Sequence, residues 1–144
     1  MTTVRNILQA KGNQVVSVMP ETTVSAALEA MADRNIGALV VTNDGVLVGM
    51  FSERDFARKT ASKGRLAYDS VVQDLMTSIV FTVGPTQSID ECMAVMTTKR
   101  IRHLPVLEDQ KLIGVVSIGD VVKAVILEKE QLIAQLESYI TGAR

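Results

Sequence analysis

The sequence predicts an α+β fold: two β-α-β-β-α repeats packed about a pseudo-twofold axis, followed by a long C-terminal helix. A shift of 65 residues aligns 11 identities among the 40 ungapped positions of 16–55 with 81–120, which indicates an internal duplication. The apolar periodicity also changes between strand and helix spacing in the same order in both copies. Because a single repeat of ~60 residues is marginally stable alone, we expect the copies to pack together with clefts between them.

Each repeat opens with a short β-branched run near a proline, Val15–Val18 or Val80–Val83, which predicts a strand. Thr22-Thr23 or Gln87-Ser88 then supplies polar side chains suited to a helix start. Helical spacing gives this helix an apolar face of Val24, Ala27, Leu28 and Met31 in the first copy and Ile89, Cys92, Met93 and Met96 in the second. Paired strands follow, Ala38–Thr42 with Leu47–Phe51 across Asn43-Asp44-Gly45 and His103–Leu107 with Leu112–Val116 across Glu108-Asp109-Gln110. A second helix starts after Ser52 or Ser117.

The predicted boundaries are residues 1–62 for the first repeat, 63–70 for a polar connector, 71–127 for the second repeat and 128–144 for an extension of the last helix. That helix is expected from about Gly119 to Ile140. It carries an apolar seam of Val122, Val125, Lys129, Leu132, Leu136 and Tyr139. A stripe of this length favours a homodimer formed through a second copy of the helix, and the alternative is that the stripe packs back on its own module.

The composition excludes several function classes. The balance of 15 Lys and Arg against 16 Asp and Glu gives no basic surface for nucleic acid. The single cysteine, Cys92, fits core packing, and with one histidine it makes neither an internal disulfide nor a Cys/His metal site. The N-terminus lacks the pattern of a secretory signal, and no apolar run approaches the ~20 residues that span a bilayer. We therefore expect a cytoplasmic protein with no metal, no membrane contact and no nucleic-acid partner.

Two heptapeptides at the same offset carry the most specific pattern, Gly49-Met50-Phe51-Ser52-Glu53-Arg54-Asp55 and Gly114-Val115-Val116-Ser117-Ile118-Gly119-Asp120. With this repeated Gly-x-x-Ser-x-x-Asp, the chain from Val4 to about Lys123 resembles tandem CBS (cystathionine-β-synthase-type) domains, the pair called a Bateman module. The resemblance implies a regulatory protein that binds adenine nucleotides, with this motif at the ribose and phosphate. It also implies that an apolar-x-apolar-Pro backbone faces the adenine, which matches His103-Leu104-Pro105-Val106. The first copy reads Ile36-Gly37-Ala38-Leu39-Val40, so Val40 replaces that proline.

The chemistry of Ser-x-x-Asp can be argued without the family. A serine between a strand and a helix lies beside backbone N–H groups and the positive end of the helix dipole, which favour a phosphate. The aspartate one turn later is suited to accept protons from ribose hydroxyls. The alternative is a capping box, in which the two side chains satisfy the helix N-terminus and need no ligand. Two copies at identical spacing favour the ligand interpretation, and each serine can serve both purposes.

Basic residues near the motifs extend the candidate site. Arg54 and Arg58 lie one turn apart and either reach a phosphate or form a solvated helix face. Arg100, Arg102 and His103 form a basic cluster at a strand start in the second copy. A lone histidine is more often structural, but His103 aligns with the small Ala38. A polar side chain in place of a small one favours contact with a ligand phosphate.

The two copies differ near their starts. Val4, Ile7 and Leu8 match Val72, Leu75 and Met76 at an offset of 68, so the first copy holds three extra residues around 10–13. We expect a longer loop there, with Lys11 and Gly12 serving the first site. In the corresponding stretch of the second copy, Thr77 is suited to hydrogen-bond a nucleotide. The candidate nucleotide-binding residues are Lys11, Gly12, Ile36, Ala38, Leu39, Ser52, Arg54, Asp55, Arg58, Thr77, Arg102, His103, Leu104, Pro105, Ser117 and Asp120.

The predicted function is a stand-alone regulatory sensor that binds AMP, ATP or NAD(H), with no catalytic cofactor. We expect the Ser117/Asp120 site to prefer AMP and the Ser52/Asp55 site, with its longer loop, to prefer ATP or NAD(H). The alternative is a ligand-independent dimeric interaction scaffold. An NAD-using enzyme is disfavoured because the Gly-x-Gly-x-x-Gly turn is absent and the single His and Cys fall on different elements.

Overall fold

The structure is a computed structural model that describes residues 1–64 and 66–142. Its elements in chain order are α1 (Val4–Lys11), β1 (Ser17–Val18), α2 (Val24–Arg34), β2 (Ala38–Asn43), β3 (Val46–Ser52), α3 (Glu53–Lys63), α4 (Leu66–Asp69), α5 (Val72–Leu75), α6 (Ile89–Lys99), β4 (His103–Glu108), β5 (Lys111–Ser117) and α7 (Ile118–Thr141). Contacts divide the chain into a terminal unit, Met1–Asn13 with the chain from Thr82 onward, and a central unit, Gln14–Phe81. The predicted α+β class, with two small sheets and a long last helix, is confirmed.

The central unit is built on a sheet of order β1-β2-β3, in which β1 runs parallel to β2 and β2 antiparallel to β3. The predicted turn between β2 and β3 is present, with positive φ at Asp44 (52°) and Gly45 (80°). Helix α2 is capped by Thr23, whose side chain accepts the Ala26 N–H at 3.2 Å. The buried core of this unit consists of Val24, Ala27, Met31, Leu39, Val41, Phe51, Ala67, Val72 and Leu75.

The terminal unit is built on the antiparallel pair β4 and β5. The predicted strand over Val80–Val83 is reduced to one parallel bridge, between Val83 and Val106. The cause lies in Pro105, which has no N–H to extend the ladder, whereas its counterpart Val40 pairs with Ser17 in β1.

The core of the terminal unit includes the inner face of α6. Its buried residues are Val4, Ile7, Leu8, Val83, Ile89, Cys92, Met96, Leu104, Val106, Val116 and Val121. The prediction that Cys92 packs in the core is confirmed, and burial, with the Glu91 charge adding to it, raises the pKa of its thiol. The prediction for Met93 is wrong, since 36% of that residue is exposed and the buried stripe of α6 is narrower than expected.

The first helix of each repeat packs within the unit that holds most of the other repeat. At the start of α1, the Val4 N–H donates to the Gln87 carbonyl at 2.9 Å. At the start of α5, the Val72 N–H donates to the Thr22 carbonyl at 2.8 Å. Gln87 follows Thr22 by 65 residues and Val72 follows Val4 by 68, which are the two offsets that relate the repeats. The two bonds therefore join equivalent residues. The repeats have therefore exchanged their first helices.

Two segments expected to be irregular are helical. The extra residues around 10–13 lengthen α1 to eight residues, against four in α5, and the chain leaves the helix only at Gly12 (φ 89°). The expected loop is therefore mostly an additional helical turn. Within the predicted connector 63–70, α4 contributes the fully buried Ala67 to the central core.

Helix α7 runs for 24 residues, and Val121 is its buried residue. The exposed apolar side chains of this helix are Ile118, Val122, Ile126, Leu127, Leu132, Ile133, Leu136, Tyr139 and Ile140. Of the predicted seam, Val125 packs partly against the terminal core. No described helix is both long enough and apolar enough to cross a membrane.

Candidate functional site

The same pair of hydrogen bonds closes the start of α3 and of α7. The Ser52 N–H donates to Asp55 Oδ2 at 2.9 Å, and the Asp55 N–H donates to Ser52 Oγ at 3.1 Å. The corresponding distances for Ser117 and Asp120 are 2.9 and 3.1 Å. Both motifs are therefore complete capping boxes, which hold a half-buried carboxylate at a fixed place beside the strand end.

The first backbone N–H groups of both helices are engaged within the protein. Besides the capping boxes, the Glu53 N–H donates to the Gly37 carbonyl at 3.0 Å and the Ile118 N–H donates to the Arg102 carbonyl at 2.8 Å. The expectation that free N–H groups here attract a phosphate is therefore wrong at these positions.

The glycine of each motif allows another segment to lie against its strand. A Cβ on Gly49 would lie 2.6 Å from Met76 Sδ and 2.9 Å from the Thr77 carbonyl oxygen. A Cβ on Gly114 would lie 2.6 Å from Leu8 Cδ2. The offset of 68 identified Leu8 and Met76 as equivalent, but the sequence analysis missed that both cover a motif glycine.

In the central unit, Thr77 completes the surroundings of the carboxylate. Its backbone pairs with Met50 through N–H···O bonds of 2.8 and 2.9 Å, which fixes the residue beside β3. Its hydroxyl then donates to Asp55 Oδ1 at 3.0 Å. The Ser52 hydroxyl lies 2.9 Å from Asp55 Oδ2, so neutral hydroxyl groups contact both carboxylate oxygens.

In the terminal unit, Lys11 takes the corresponding place. Its Nζ donates to Asp120 Oδ2 at 2.6 Å and to the Val115 carbonyl at 3.0 Å. Burial by itself raises the pKa of Asp120, but the hydrogen bonds from Lys11 and from Ser117, together with the Lys11 charge, outweigh burial and lower the pKa overall. The carboxylate is thus held ionised by a specific cation.

These contacts correct the assignment of three candidates. Lys11 was expected at the Ser52/Asp55 site, but it contacts Asp120 because α1 packs in the terminal unit. Gly12 ends α1, and its N–H donates to the Leu8 carbonyl at 2.8 Å. Thr77 was expected to serve the second copy, but it contacts Asp55.

The candidates on the β2 and β4 strands divide into two groups. Ala38 stands opposite Ser52 in the strand register, and His103 stands opposite Ser117, so both lie beside a capping serine. Leu39 and the aligned Leu104 instead point into the two cores, which leaves their backbones as the groups able to face a ligand.

The remaining candidates lie around these strands and on α3. Pro105 is buried and Ile36 half-buried, whereas the side chain of Arg102 is exposed. Arg54 and Arg58 lie on the exposed side of α3, within two turns of Ser52. The structure brings Lys11 to Asp120 and Thr77 to Asp55.

The CBS domain family matches residues 4–62 and 72–127. The chain belongs to this family. A mitochondrial CBS domain-containing protein of Arabidopsis thaliana, CBSX3, is 38% identical over 98% of this chain and 73% of its own. A solved CBS-domain protein of Burkholderia ambifaria MC40-6, assigned provisionally to signal transduction, is 46% identical with a TM-score of 0.84, covering 88% of this chain and 95% of that one.

A more distant solved structure shares the fold. It is the CBS domain pair of protein MJ0100 in complex with 5′-methylthioadenosine and S-adenosyl-L-methionine, with a TM-score of 0.77, 22% identity, and coverage of 86% of this chain and 99% of that one. In the part of the CBS chain described here, no group of three or more His, Cys, Asp or Glu side chains is arranged to hold a metal ion. Given the mitochondrial relative, a cytoplasmic location stays a prediction.

Proposed function

We propose that this CBS protein is a regulatory sensor that binds adenine nucleotides, with AMP, ATP or NAD(H) as its ligands and no reaction of its own. The observation that carries the proposal is the repeated carboxylate: Asp55 and Asp120 are each fixed by a capping serine at the end of a hairpin strand. Each carboxylate has acceptor oxygens suited to a ribose diol. The adenosine-containing ligands of the MJ0100 CBS pair support the same ligand class.

The ligand preference of each site follows from its neighbouring side chains. The Ser117/Asp120 site has Lys11 beside it and suits a compact, singly phosphorylated nucleotide such as AMP. The Ser52/Asp55 site keeps the proposed preference for ATP or NAD(H), because the small Ala38 lies beside Ser52 where His103 lies beside Ser117. Arg54 and Arg58, rather than Lys11, are the cations that would face its phosphates.

Calorimetric titration with AMP, ATP and NADH tests the proposal. Asp55→Ala and Asp120→Ala should each remove one binding site, and a ligand at ~100 times its dissociation constant should stabilise the wild type by about 2.7 kcal/mol. For a chain of this length, that gain raises Tm by roughly 5 to 11 °C. Absence of binding by every nucleotide, or unchanged stoichiometry in both variants, would contradict the proposal.

A matched control separates ligand binding from helix capping. Ser88 and Glu91 form a third capping box, at the start of α6, which carries no candidate ligand residue. Glu91→Ala removes the same kind of cap and should leave nucleotide binding unchanged. If Glu91→Ala weakens binding as much as Asp120→Ala does, the loss reports capping rather than ribose contact.

The second candidate function is a dimeric interaction scaffold, and one observation favours it: the capping boxes of α3, α6 and α7 are each completed by the protein's own groups. Nucleotide titration decides between the two functions, because a scaffold predicts no stabilisation by any nucleotide.

A homodimer is part of both candidate functions. The exposed Leu132 and Leu136 on α7 are its proposed contact, because apolar side chains on a long helix gain by burial against a second helix. Leu132→Glu with Leu136→Glu should give monomers by sedimentation. Gln131→Glu with Gln135→Glu adds the same charge at the same spacing and should leave the dimer intact. A wild-type monomer at micromolar concentration would refute the dimer.

A further inference from the structure

The contact between Lys11 and Asp120 joins the end of α1 to the carboxylate proposed to bind ribose. Two of the three ammonium protons of Lys11 are engaged, by Asp120 Oδ2 at 2.6 Å and by the Val115 carbonyl at 3.0 Å. The Lys11 side chain is 38% exposed and that of Asp120 22% exposed. The cation is therefore close enough to solvent for a ligand to reach it.

The position of Lys11 is set by the packing of α1. Val4, Ile7 and Leu8 are buried in the terminal core, and Leu8 lies against Gly114, three residues before the capping Ser117. Lys11 follows Leu8 by one helical turn, on the same face of α1. Its backbone is thus anchored near the site, while its long flexible side chain can move the ammonium group between partners.

Binding of a ribose requires Asp120 to exchange partners. If the ribose hydroxyls donate to Asp120, they compete with the Lys11 ammonium for the same oxygen. A ligand that carries a phosphate gives the displaced ammonium a new anion, whereas an uncharged nucleoside leaves it with none. The cost of the exchange therefore depends on the charge of the ligand.

Besides the candidate side chains Arg102 and His103, this site has few donors for a phosphate. The N–H groups of Ser117, Ile118 and Asp120 all donate within the protein, so the start of α7 offers few donors to a phosphate. In the central unit, the neutral Thr77 hydroxyl donates to Asp55, and displacing this hydroxyl leaves no cation without a partner.

We infer that Lys11 is a specificity-determining residue, which makes the Ser117/Asp120 site select phosphorylated adenine nucleotides over uncharged adenine nucleosides. The inference rests on the proposed function, because it takes Asp120 as the ribose contact.

Calorimetric titration with AMP and with adenosine tests it, on the full chain carrying Asp55→Ala so that one site remains. In this background AMP should bind at least about tenfold more tightly than adenosine, a difference of ~1.4 kcal/mol. Lys11→Met should weaken AMP binding about tenfold and leave adenosine binding unchanged or tighter. Lys11→Arg keeps the charge and should retain the preference.

A control lysine and two further outcomes complete the design. Lys111→Met removes the same charge at the other end of β5, about 20 Å away along the strand, and should change neither affinity. If Lys11→Met weakens AMP and adenosine equally, or changes neither, the inference fails while nucleotide binding stands. If neither ligand binds any variant, the inference fails together with the proposed function.

Discussion

The central and terminal units carry the same glycine, serine and aspartate, but a different type of side chain contacts the aspartate in each unit. In the central unit the one-turn helix α5 ends early, the chain pairs with β3, and the Thr77 hydroxyl reaches Asp55. In the terminal unit α1 continues for another turn and delivers the Lys11 ammonium to Asp120. Three extra residues thus change the partner of a carboxylate from a hydroxyl to a cation without altering the capping box beneath it.

The largest difference between the units is expected when the motif glycines gain a methyl group. Gly49→Ala should destabilise the protein by about 3 kcal/mol, because its Cβ would meet the Thr77 backbone as well as Met76. Gly114→Ala should cost only about 1 kcal/mol, because the flexible Leu8 side chain can move away. Urea unfolding measures both values.

A third glycine supplies the control for this comparison. The nearest atoms to a Cβ on Gly84 lie 3.9 Å away, so Gly84→Ala should be nearly neutral. An equal loss of stability in Gly49→Ala and Gly114→Ala would contradict this prediction, because it would show that the Leu8 side chain resists displacement as strongly as the Thr77 backbone.

A smaller difference is expected when each aspartate loses its covering partner. Lys11→Met should lower the free energy of unfolding at pH 7 by about 0.5 to 1 kcal/mol, a modest value because the pair is partly exposed. The loss should shrink in high salt, since added ions screen the pair. Thr77→Val removes a bond from a neutral donor, and its effect should depend less on salt.

The Lys11→Met difference should also vary with pH. The pKa of Asp120 is lowered in the folded protein, so its stabilisation is fully present above the ordinary carboxyl pKa of about 3.9 and is lost as the pH falls through the lowered value. The unfolding free energies of wild type and Lys11→Met should therefore converge progressively below about pH 4. A difference that stays constant down to pH ~2 would show that Lys11 contributes by packing alone.

The smallest expected effect concerns the two hairpin turns. Gly45 occupies a left-handed position in the central unit, and Gln110 occupies the same position (φ 66°) in the terminal unit. Gln110→Gly relieves ~1 kcal/mol of strain but increases the freedom of the unfolded chain, so the net gain should be about 0.5 kcal/mol. Gly45→Gln should give a loss of similar size. The two shifts in Tm, of opposite sign, are measured by calorimetry.

Most of the fold could be predicted from the sequence because the pattern that indicates each helix or strand occurs in both repeats. The apolar run Leu47–Phe51, the Asn43-Asp44-Gly45 turn and the apolar spacing of the last helix are local signals, and the elements that they predict are present in the structure. The predicted strand at Val80–Val83 is reduced to one bridge because Pro105, in the paired strand β4, has no backbone N–H to donate. A pairing of this kind depends on both strands at once.

The site was less predictable because an alignment offset identifies equivalent residues without showing which repeat they cover. Leu8 and Met76 were matched correctly, but Lys11 was assigned to the first site and Thr77 to the second, whereas they contact Asp120 and Asp55 respectively. Only the tertiary packing of α1 and α5 decides that assignment. The ribose role of Asp55 and Asp120 remains a prediction, which the titrations address.

The exchange of first helices also sets an order of events during synthesis. The central unit is one continuous stretch, Gln14–Phe81, and can close as soon as that stretch leaves the ribosome. The terminal unit instead joins Met1–Asn13 to a segment that begins only at Thr82. The apolar residues Val4, Ile7 and Leu8 of α1 can be buried only after the second hairpin has been translated. Their burial closes a loop made of the whole central unit, which costs entropy. Helix α1 is translated first but is expected to be among the last elements to pack into its core.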